Sequence, residues 1–326
     1  MRVIYNDITD PYFNLASEEY LLEESKGDIF MIWRNEKSVI IGKNQNAYGE
    51  ININFCEKNG IKTVRRLTGG GAVFHDPGNV NFSFITDADA VEGIDFSPFI
   101  SKVTDALTVF GINAYANGRN DIEVRGTKIS GNAQCVYNCK DGRKRLLHHG
   151  TLLFDADMSF LEDALLPRVE KLESKGIKSV RSRVINIKCI EGYSGPDNSE
   201  DFAGAICHLF SDEWTVLRAE EKNGIEKLAR DKYSKWEWNF GESPMFSTVL
   251  SRRYPFGTVE VAFTANKGII EKIKIYGDFF SFGDVSELEK LLLGAPLEKH
   301  ELEMRLSDTG KYICGADVHT ITDLMI

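Results

Sequence analysis

The chain has 326 residues, 42% hydrophobic and 27% charged, enough for a full core and for one large plus one small domain. Its formal net charge of −10 excludes a general nucleic-acid binder, which needs a broad basic surface. No apolar run approaches the roughly 20 residues of a membrane span, and "MRVIYNDITDPYF" lacks a secretory pattern, so a cytosolic protein is expected.

In chain order, "NLASEEYLLEES" predicts a helix capped by Asn14, with Leu15, Tyr20, Leu21 and Leu22 as its apolar positions. "IFMIWRN" and "SVIIG" read as two buried strands around an Asn-Glu-Lys turn. "NVNFSFIT" alternates, which predicts a half-buried strand with Val80, Phe82 and Phe84 inward and Asn81 and Ser83 outward. "SPFISKVTDALTVFG" is a helix stopped by Gly111, and "SFLEDALL" opens another with Ser159 and Glu162 at capping-box spacing. Glu191–Asp201 reads as a loop, and the Trp-dense "KWEWNFGESP" follows it.

Beyond a Pro/Ser-rich connection near Ser243–Ser251 the character changes. "GTVEVAFTANKGIIEKIKIYGDFF" is a hairpin around Asn266-Lys267-Gly268, and Asp284 and Glu287 start a short helix. These features predict a domain of residues 1–246 and a small α+β domain of residues 247–326. The first domain mixes strands with a few helices in no regular βαβ alternation, so the fold class is α+β.

The chemistry concentrates in Arg65–Asn79, "RRLTGGGAVFHDPGN". Consecutive glycines bring backbone N–H groups close to a ligand and form an anion-cradling concavity. Arg65 and Arg66 add permanent charge with a fork suited to phosphate or carboxylate. Neither the P-loop spacing nor G-x-G-x-x-G is present, which excludes two common nucleotide folds. Two further stretches carry titratable groups beside strands: "GRNDIEVRGTKISGNAQ", with Asp121 and Lys128, and "HHGTLLFDADM", with His148 and His149. Between Arg168 and Lys188, seven basic residues stand against two acidic ones, a candidate anion or partner surface on an acidic chain.

The six cysteines, Cys56, Cys135, Cys139, Cys189, Cys207 and Cys314, show no C-x-x-C pair and read as free thiols. Cys135 and Cys139 are four apart, but without two further ligands they make no zinc site.

These stretches, in this order, resemble the bacterial lipoate–protein ligase A family. The matching marks are Arg65–Asn79, Gly118–Asp121 with Lys128–Ala133, and His148–Leu153. "SKGIKSVRSRVINI" resembles that family's adenylate-binding loop, and "WEWNFGESPMFS" resembles the end of its large domain. The resemblance implies a mixed-sheet catalytic domain of the biotin/lipoate-ligase type with a C-terminal accessory domain. It implies activation of lipoate by ATP to lipoyl-AMP, with Mg²⁺ as the accompanying ion and no tightly bound cofactor. Transfer would follow to a lysine of apo lipoyl domains of 2-oxoacid dehydrogenase E2 subunits or of glycine-cleavage H protein.

Carried over residue by residue, Lys128 is the catalytic cation bridging carboxylate and α-phosphate. Arg66, the backbone of Gly71, Ala72, Val73 and Phe74, and Asp121 are the nucleotide contacts, with Asp121 on the Mg²⁺ side. Lys178, Arg181 and Arg183 would close over the adenylate. His149, Gly69 and Gly70 border the lipoyl group, with Trp33 and Leu15 as walls for its tail. For deprotonation of the carrier lysine, Asp121, His149 and desolvation stay open. A monomer is expected, without nucleic-acid or membrane partners. The alternatives are a lipoyltransferase using preformed lipoyl-AMP and an octanoyltransferase with a cysteine intermediate at Cys135 or Cys139; a non-catalytic sensor would bind without turnover. The G-R-G-R-x-G mark of biotin ligases is absent.

Overall fold

The structure, a computed structural model, describes residues 1–88, 95–117, 120–157, 159–165, 184–240 and 248–326. Thirteen strands fall into three sheets among these residues. They are β1 (Arg2–Asn6), β2 (Ile29–Arg34), β3 (Ser38–Ile41), β4 (Lys62–Arg65), β5 (Val73–His75), β6 (Asn79–Asp87), β7 (Tyr115–Asn117), β8 (Asp121–Val124), β9 (Thr127–Asn138), β10 (Lys144–Leu153), β11 (Thr248–Tyr254), β12 (Gly257–Asn266) and β13 (Ile269–Gly277). The large sheet runs β1-β2-β6-β10-β9-β8-β7, with β1 and β2 parallel and the remaining pairs antiparallel. A small sheet, β4-β3-β5, is also mixed, and β11-β12-β13 is an antiparallel meander. The α+β class holds. The "IFMIWRN" and "SVIIG" strands, β2 and β3, do not pair with each other but go to different sheets.

Strand alternation gives the large sheet two different faces. One carries Phe30, Ile32, Val80, Phe82, Phe84 and Leu146 and packs against the helices Ser97–Thr108 and Ser199–Phe210. The other carries Met31, Trp33, Ile85 and Leu147 and meets the helix Pro11–Glu24, Ile225, Tyr233, and Ile40 and Val64 of the small sheet. Asn81 and Ser83 lie on this second face at 1% and 0% exposure, so β6 is buried on both sides. The expected outward positions are covered because a helix and a second sheet lie over them. Their polarity marks a buried polar floor.

The first helix starts earlier than the sequence pattern suggests. Asp10 caps it by accepting from the Tyr12 amide, and Pro11 occupies the first turn, where its missing N–H costs nothing. Asn14 is therefore inside the helix and fully buried; its amide ties three segments together. Its Nδ2 donates to the carbonyls of Ile8 and Arg34 and to Asn35 Oδ1, while its Oδ1 accepts from Asn6 Nδ2.

The C-terminal meander packs its own core of Val259, Val261, Ile275, Leu288 and Leu302. Lys267 and Gly268 both take positive φ, as a tight hairpin turn requires. The Ser286–Leu292 helix starts where Asp284 accepts from the Ser286 amide. Residues 248–251, expected in the connection, belong instead to β11, where the Ser251 register faces Glu260. The expected boundary at 246 lies outside the described residues. Phe280 leaves the meander to enter the core of the large sheet beside Phe96, with ring centroids 5.4 Å apart, and Gly277 donates to the Asn44 carbonyl at 2.7 Å.

At the opposite edge, Glu221 joins the helix Ala219–Leu228 to β1 through Arg2, at 2.6 Å, and also binds Arg218. Burial alone would raise its carboxyl, but the hydrogen bonds from Arg2 and Arg218 prevail and hold it at about 2. A depressed carboxyl stabilises the fold above its ordinary value, and that contribution is lost as pH falls towards the folded value. The melting temperature of the wild-type protein should therefore fall more steeply from about pH 4.5 to about 2 than that of Glu221→Gln. Parallel curves would show that this pair does not pin β1.

Candidate active site

A cavity of about 200 Å³ lies between the second face of the large sheet and the small sheet. Its floor follows one row across the strands. Trp33 on β2 faces Asn81 on β6, Asn81 faces Thr151 on β10, and Thr151 Oγ1 accepts from the Gly131 amide on β9. All four line the cavity. Three strand spacings of about 4.8 Å put its two ends roughly 14 Å apart.

Lys128 occupies the β9 end. Its ammonium lies over Gly131, where an added Cβ would come within 3.0 Å of Nζ, and it pairs with Asp121 at 2.7 Å. Both side chains are about one-third exposed, so the pair borders the mouth rather than the floor. The Ile185 amide donates to the Lys128 carbonyl, fixing the strand end from the other side.

The roof is the glycine triplet, and its glycines answer to different constraints. Gly69 packs against the Phe279 carbonyl so closely that a Cβ would overlap it. Gly70 takes φ +93°, with its amide aimed at the same carbonyl at 3.4 Å. Gly71 has open space on its Cβ side and lines the cavity. Arg66 holds the loop from beneath. Its guanidinium donates to the carbonyls of Gly69 at 2.6 Å, Gly71 at 2.9 Å and Ile40 at 3.2 Å, and to Thr68 Oγ1 at 3.0 Å.

Thr68 continues the chain to His149 Nε2 at 2.8 Å, and His149 Nδ1 meets Glu18 Oε1 at 2.8 Å. Because Arg66 Nε already donates to the threonine oxygen, the hydroxyl proton is free to go to His149 Nε2. Nδ1 then carries the imidazole proton towards Glu18. Glu18, fully buried, also accepts from Ser83, whose hydroxyl accepts from the Trp33 indole. Burial lowers both Arg65 and Arg66 to about 10, so both stay charged at neutral pH. Arg65 spends its donors on carbonyls of Gly42, Lys43, Gln45, Trp238 and Asn239. Arg66 is buried and Arg65 partly buried, and fixed positive charge beside the glycine roof favours an anionic ligand.

Of the residues expected from sequence, Leu15, Trp33, Arg66, Gly70, Gly71, Ala72, Val73, Lys128 and His149 line this one cavity. Gly69 and Asp121 stand just behind it through Arg66 and Lys128. Phe74 points away, stacked on Phe160 with centroids 6.0 Å apart, so only its backbone could reach a ligand. Lys178, Arg181 and Arg183 lie outside the described residues. Sequence reasoning missed Glu18, Thr68, His75, Asn81 and Thr151. Asn81 alternates with Val80 and Phe82 like a solvent-facing residue, so the strand pattern gave no local sign of its place in the cavity.

Residues 10–210 match the family model of the lipoyl protein ligase A/B catalytic domain, and residues 243–325 match that of the bacterial lipoate protein ligase C-terminus. The chain belongs to the lipoate–protein ligase family. Lipoate–protein ligase 1 of Staphylococcus aureus strain Mu50 is 40% identical over 328 residues, covering 98% of each chain. Among solved structures, Plasmodium falciparum LipL1 in complex with lipoate is 27% identical, with a TM-score of 0.77 and 94% of each chain covered. A lipoate–protein ligase A bound with ATP is 26% identical with a TM-score of 0.60, covering 74% of this chain and 98% of that one. This chain is accordingly an ATP-dependent lipoate–protein ligase.

A cysteine mechanism finds no support in this ligase. Burial pushes the Cys135 thiol up to about 12, burial also raises Cys139, whose thiol donates to the Leu22 carbonyl, and neither lines the cavity. The Cys135→Ser, Cys139→Ser double variant should keep ligase activity within about twofold in a pyrophosphate-release assay; loss beyond tenfold at unchanged melting temperature would restore a thiol role. Gly70→Val, by contrast, places a side chain at positive φ and within 2.9 Å of the Arg66 guanidinium. It should lower acyl activation at least ~100-fold while the protein still unfolds in one cooperative transition, with strain of roughly 1–3 kcal/mol. Wild-type activity in that variant would show that the roof needs no glycine.

Proposed function

We propose that this ligase works in two steps at the single cavity described above. In the first, a lipoate carboxylate oxygen attacks the α-phosphorus of ATP, the bond to the β-phosphate oxygen breaks, and pyrophosphate leaves. In the second, the ε-amine of a carrier lysine attacks the acyl carbonyl of lipoyl-AMP, and AMP leaves with the electron pair of the broken C–O bond. The observation that carries this reading is Lys128: a partly exposed ammonium at one end of a trough with apolar walls, held by Asp121 and by its place over Gly131.

Carboxylate and α-phosphate are both anions, and bringing them together is the main electrostatic obstacle. A fixed cation between them lowers that barrier because its orientation is set before the substrates arrive. The glycine roof offers amides on the nucleotide side, and the trough walls of Leu15, Trp33, Ile40 and Ala133 suit an acyl tail. Arg66 supports the nucleotide chiefly by holding the roof, with four of its five N–H groups already committed. Mg²⁺ belongs to the substrate side of the reading. Asp121 supplies one hard carboxylate oxygen, and one carboxylate plus substrate phosphates is an ordinary Mg²⁺ environment.

His149 does not suit the role of base for the carrier lysine, since Glu18 and Thr68 engage both its ring nitrogens. Asp121 and desolvation remain as the routes to a neutral amine. The acceptor is assigned as a lysine of an apo lipoyl domain or of glycine-cleavage H protein, on the strength of the family. We divide the chain into catalytic residues 1–246 and accessory residues 247–326. A cytoplasmic location agrees with six free cysteines; among the described residues no helix is long and apolar enough to cross a membrane.

Purified protein with ATP, Mg²⁺ and lipoate, and no carrier, should release pyrophosphate. Lys128→Ala should lower that rate by about 10²–10³, the scale of a lost charge-stabilising group. Absence of release by the wild type, alongside acyl transfer from synthetic lipoyl-AMP, would make the chain a transferase instead.

A further inference from the structure

His75 closes the cavity wall at the end opposite Lys128, next to Trp33, with ring centroids 6.2 Å apart. It is 4% exposed, and its Nε2 has no hydrogen-bond partner among the described residues. A buried polar group left unpaired in a packed protein calls for an explanation.

The protonation of this ring follows from a chain of amides. Asn14 Nδ2 faces two backbone carbonyls, which can only accept, so that atom is a donor. It also donates to Asn35 at 2.9 Å, so the Asn35 atom there is the oxygen. Asn35 Nδ2 is then the group facing His75 Nδ1 at 3.1 Å, and an amide nitrogen donates. Nδ1 must therefore accept, and the ring proton sits on Nε2. Burial, with Arg66 and His149 nearby, lowers the His75 pKa to about 3, so the ring stays neutral. The result is a fixed, neutral N–H donor at the tail end of the trough, beside Trp33 and without an acceptor among the described residues.

An acyl chain whose carboxylate lies by Lys128 sends its far end towards Trp33 and His75. A plain alkyl tail brings no acceptor there, whereas a dithiolane ring brings two sulfur atoms, weak but real acceptors. We infer that the His75 Nε2–H binds a dithiolane sulfur of the lipoyl group and makes the cavity prefer a lipoyl tail over an alkyl tail of similar length. This inference rests on the lipoate reading of the cavity and adds the residue that reads the sulfur. His75 acts here as a specificity residue with no part in the bond changes at the phosphate.

The test compares kcat/KM for pyrophosphate release with lipoate, octanoate and 5-cyclopentylpentanoate, in which CH₂ groups replace both sulfurs in a ring of similar shape. The wild type should favour lipoate over the cyclopentyl acid by about tenfold, the scale of one weak hydrogen bond. Equal use of the two acids overturns the inference without any variant. In His75→Phe, which keeps an aromatic ring but no N–H, the ratio of kcat/KM for lipoate to that for octanoate should fall by about tenfold, whatever the change in either value alone. His75→Gln, whose side-chain amide can restore a donor near the Nε2 position, should recover most of that ratio. An unchanged lipoate-to-octanoate ratio in His75→Phe overturns the inference and leaves the ligase reading standing. Absence of pyrophosphate release with all three acids in the wild type overturns the ligase reading and this inference with it.

Discussion

The site depends on a guanidinium buried under a loop of glycines. Arg66 has 6% exposure and places its donors on Thr68 and on the carbonyls of Ile40, Gly69 and Gly71. An arginine suits this position because its fork has five donors in one plane and its charge survives burial. Lysine would offer one point of attachment and would lose its proton more readily in such a setting. The loop that Arg66 holds cannot hold itself. Gly69 is pressed against Phe279 and Gly70 sits at positive φ, so neither position admits a side chain that could pack. The conformational freedom that glycine brings to the unfolded chain is offset in the fold by these bonds and by the contact of Phe279 from above.

The large sheet sorts the remaining chemistry. Its period of two assigns one set of side chains to the phenylalanine-rich core with His148, whose pKa burial lowers, and the other set to the cavity floor. Trp33, Asn81, Thr151 and Gly131 come from four strands distant in sequence, yet they form one row because antiparallel register brings them opposite each other. That row defines a direction, from the ammonium of Lys128 to the neutral imidazole of His75. A molecule with an anionic head and a weakly polar tail end matches both termini. Phe279 and Phe280 join the C-terminal three-strand domain to this arrangement: one abuts the roof and the other enters the core beneath Phe96. Contacts of the C-terminal three-strand domain and the shape of the roof therefore affect one another.

Much of the site was legible in the sequence, because its residues cluster in short motifs with chemically telling neighbours. Two arginines before three glycines, a lysine beside a glycine turn and a His-His-Gly-Thr run are local signals, although the two histidines lie in the middle of β10 rather than ahead of a strand. Lys128, Arg66, His149 and the Gly70–Val73 run meet in one cavity as those signals implied. The α+β class, the hairpin at Lys267-Gly268 and the helix ended near Gly111 followed from period and turn chemistry. Glycine at positive φ and a proline at a helix start act within a few residues, so sequence suffices for them.

What the tertiary structure decided is where distant polar atoms find partners. Asn14 reads as a cap because an asparagine before an apolar run usually is one, but Asp10 and Pro11 take that role and leave Asn14 to bridge Asn6, Ile8, Arg34 and Asn35. Asn81 and Ser83 read as solvent-facing because alternation cannot distinguish water from a buried polar floor. Glu18 sits in the first helix with no local sign that its imidazole partner lies 131 residues away in sequence. The protonation of His75 depends on amides from three other segments. Sequence by itself determined the residue types and the local backbone they permit; the pairing of buried donors with acceptors is set by long-range register and packing, which no local window contains.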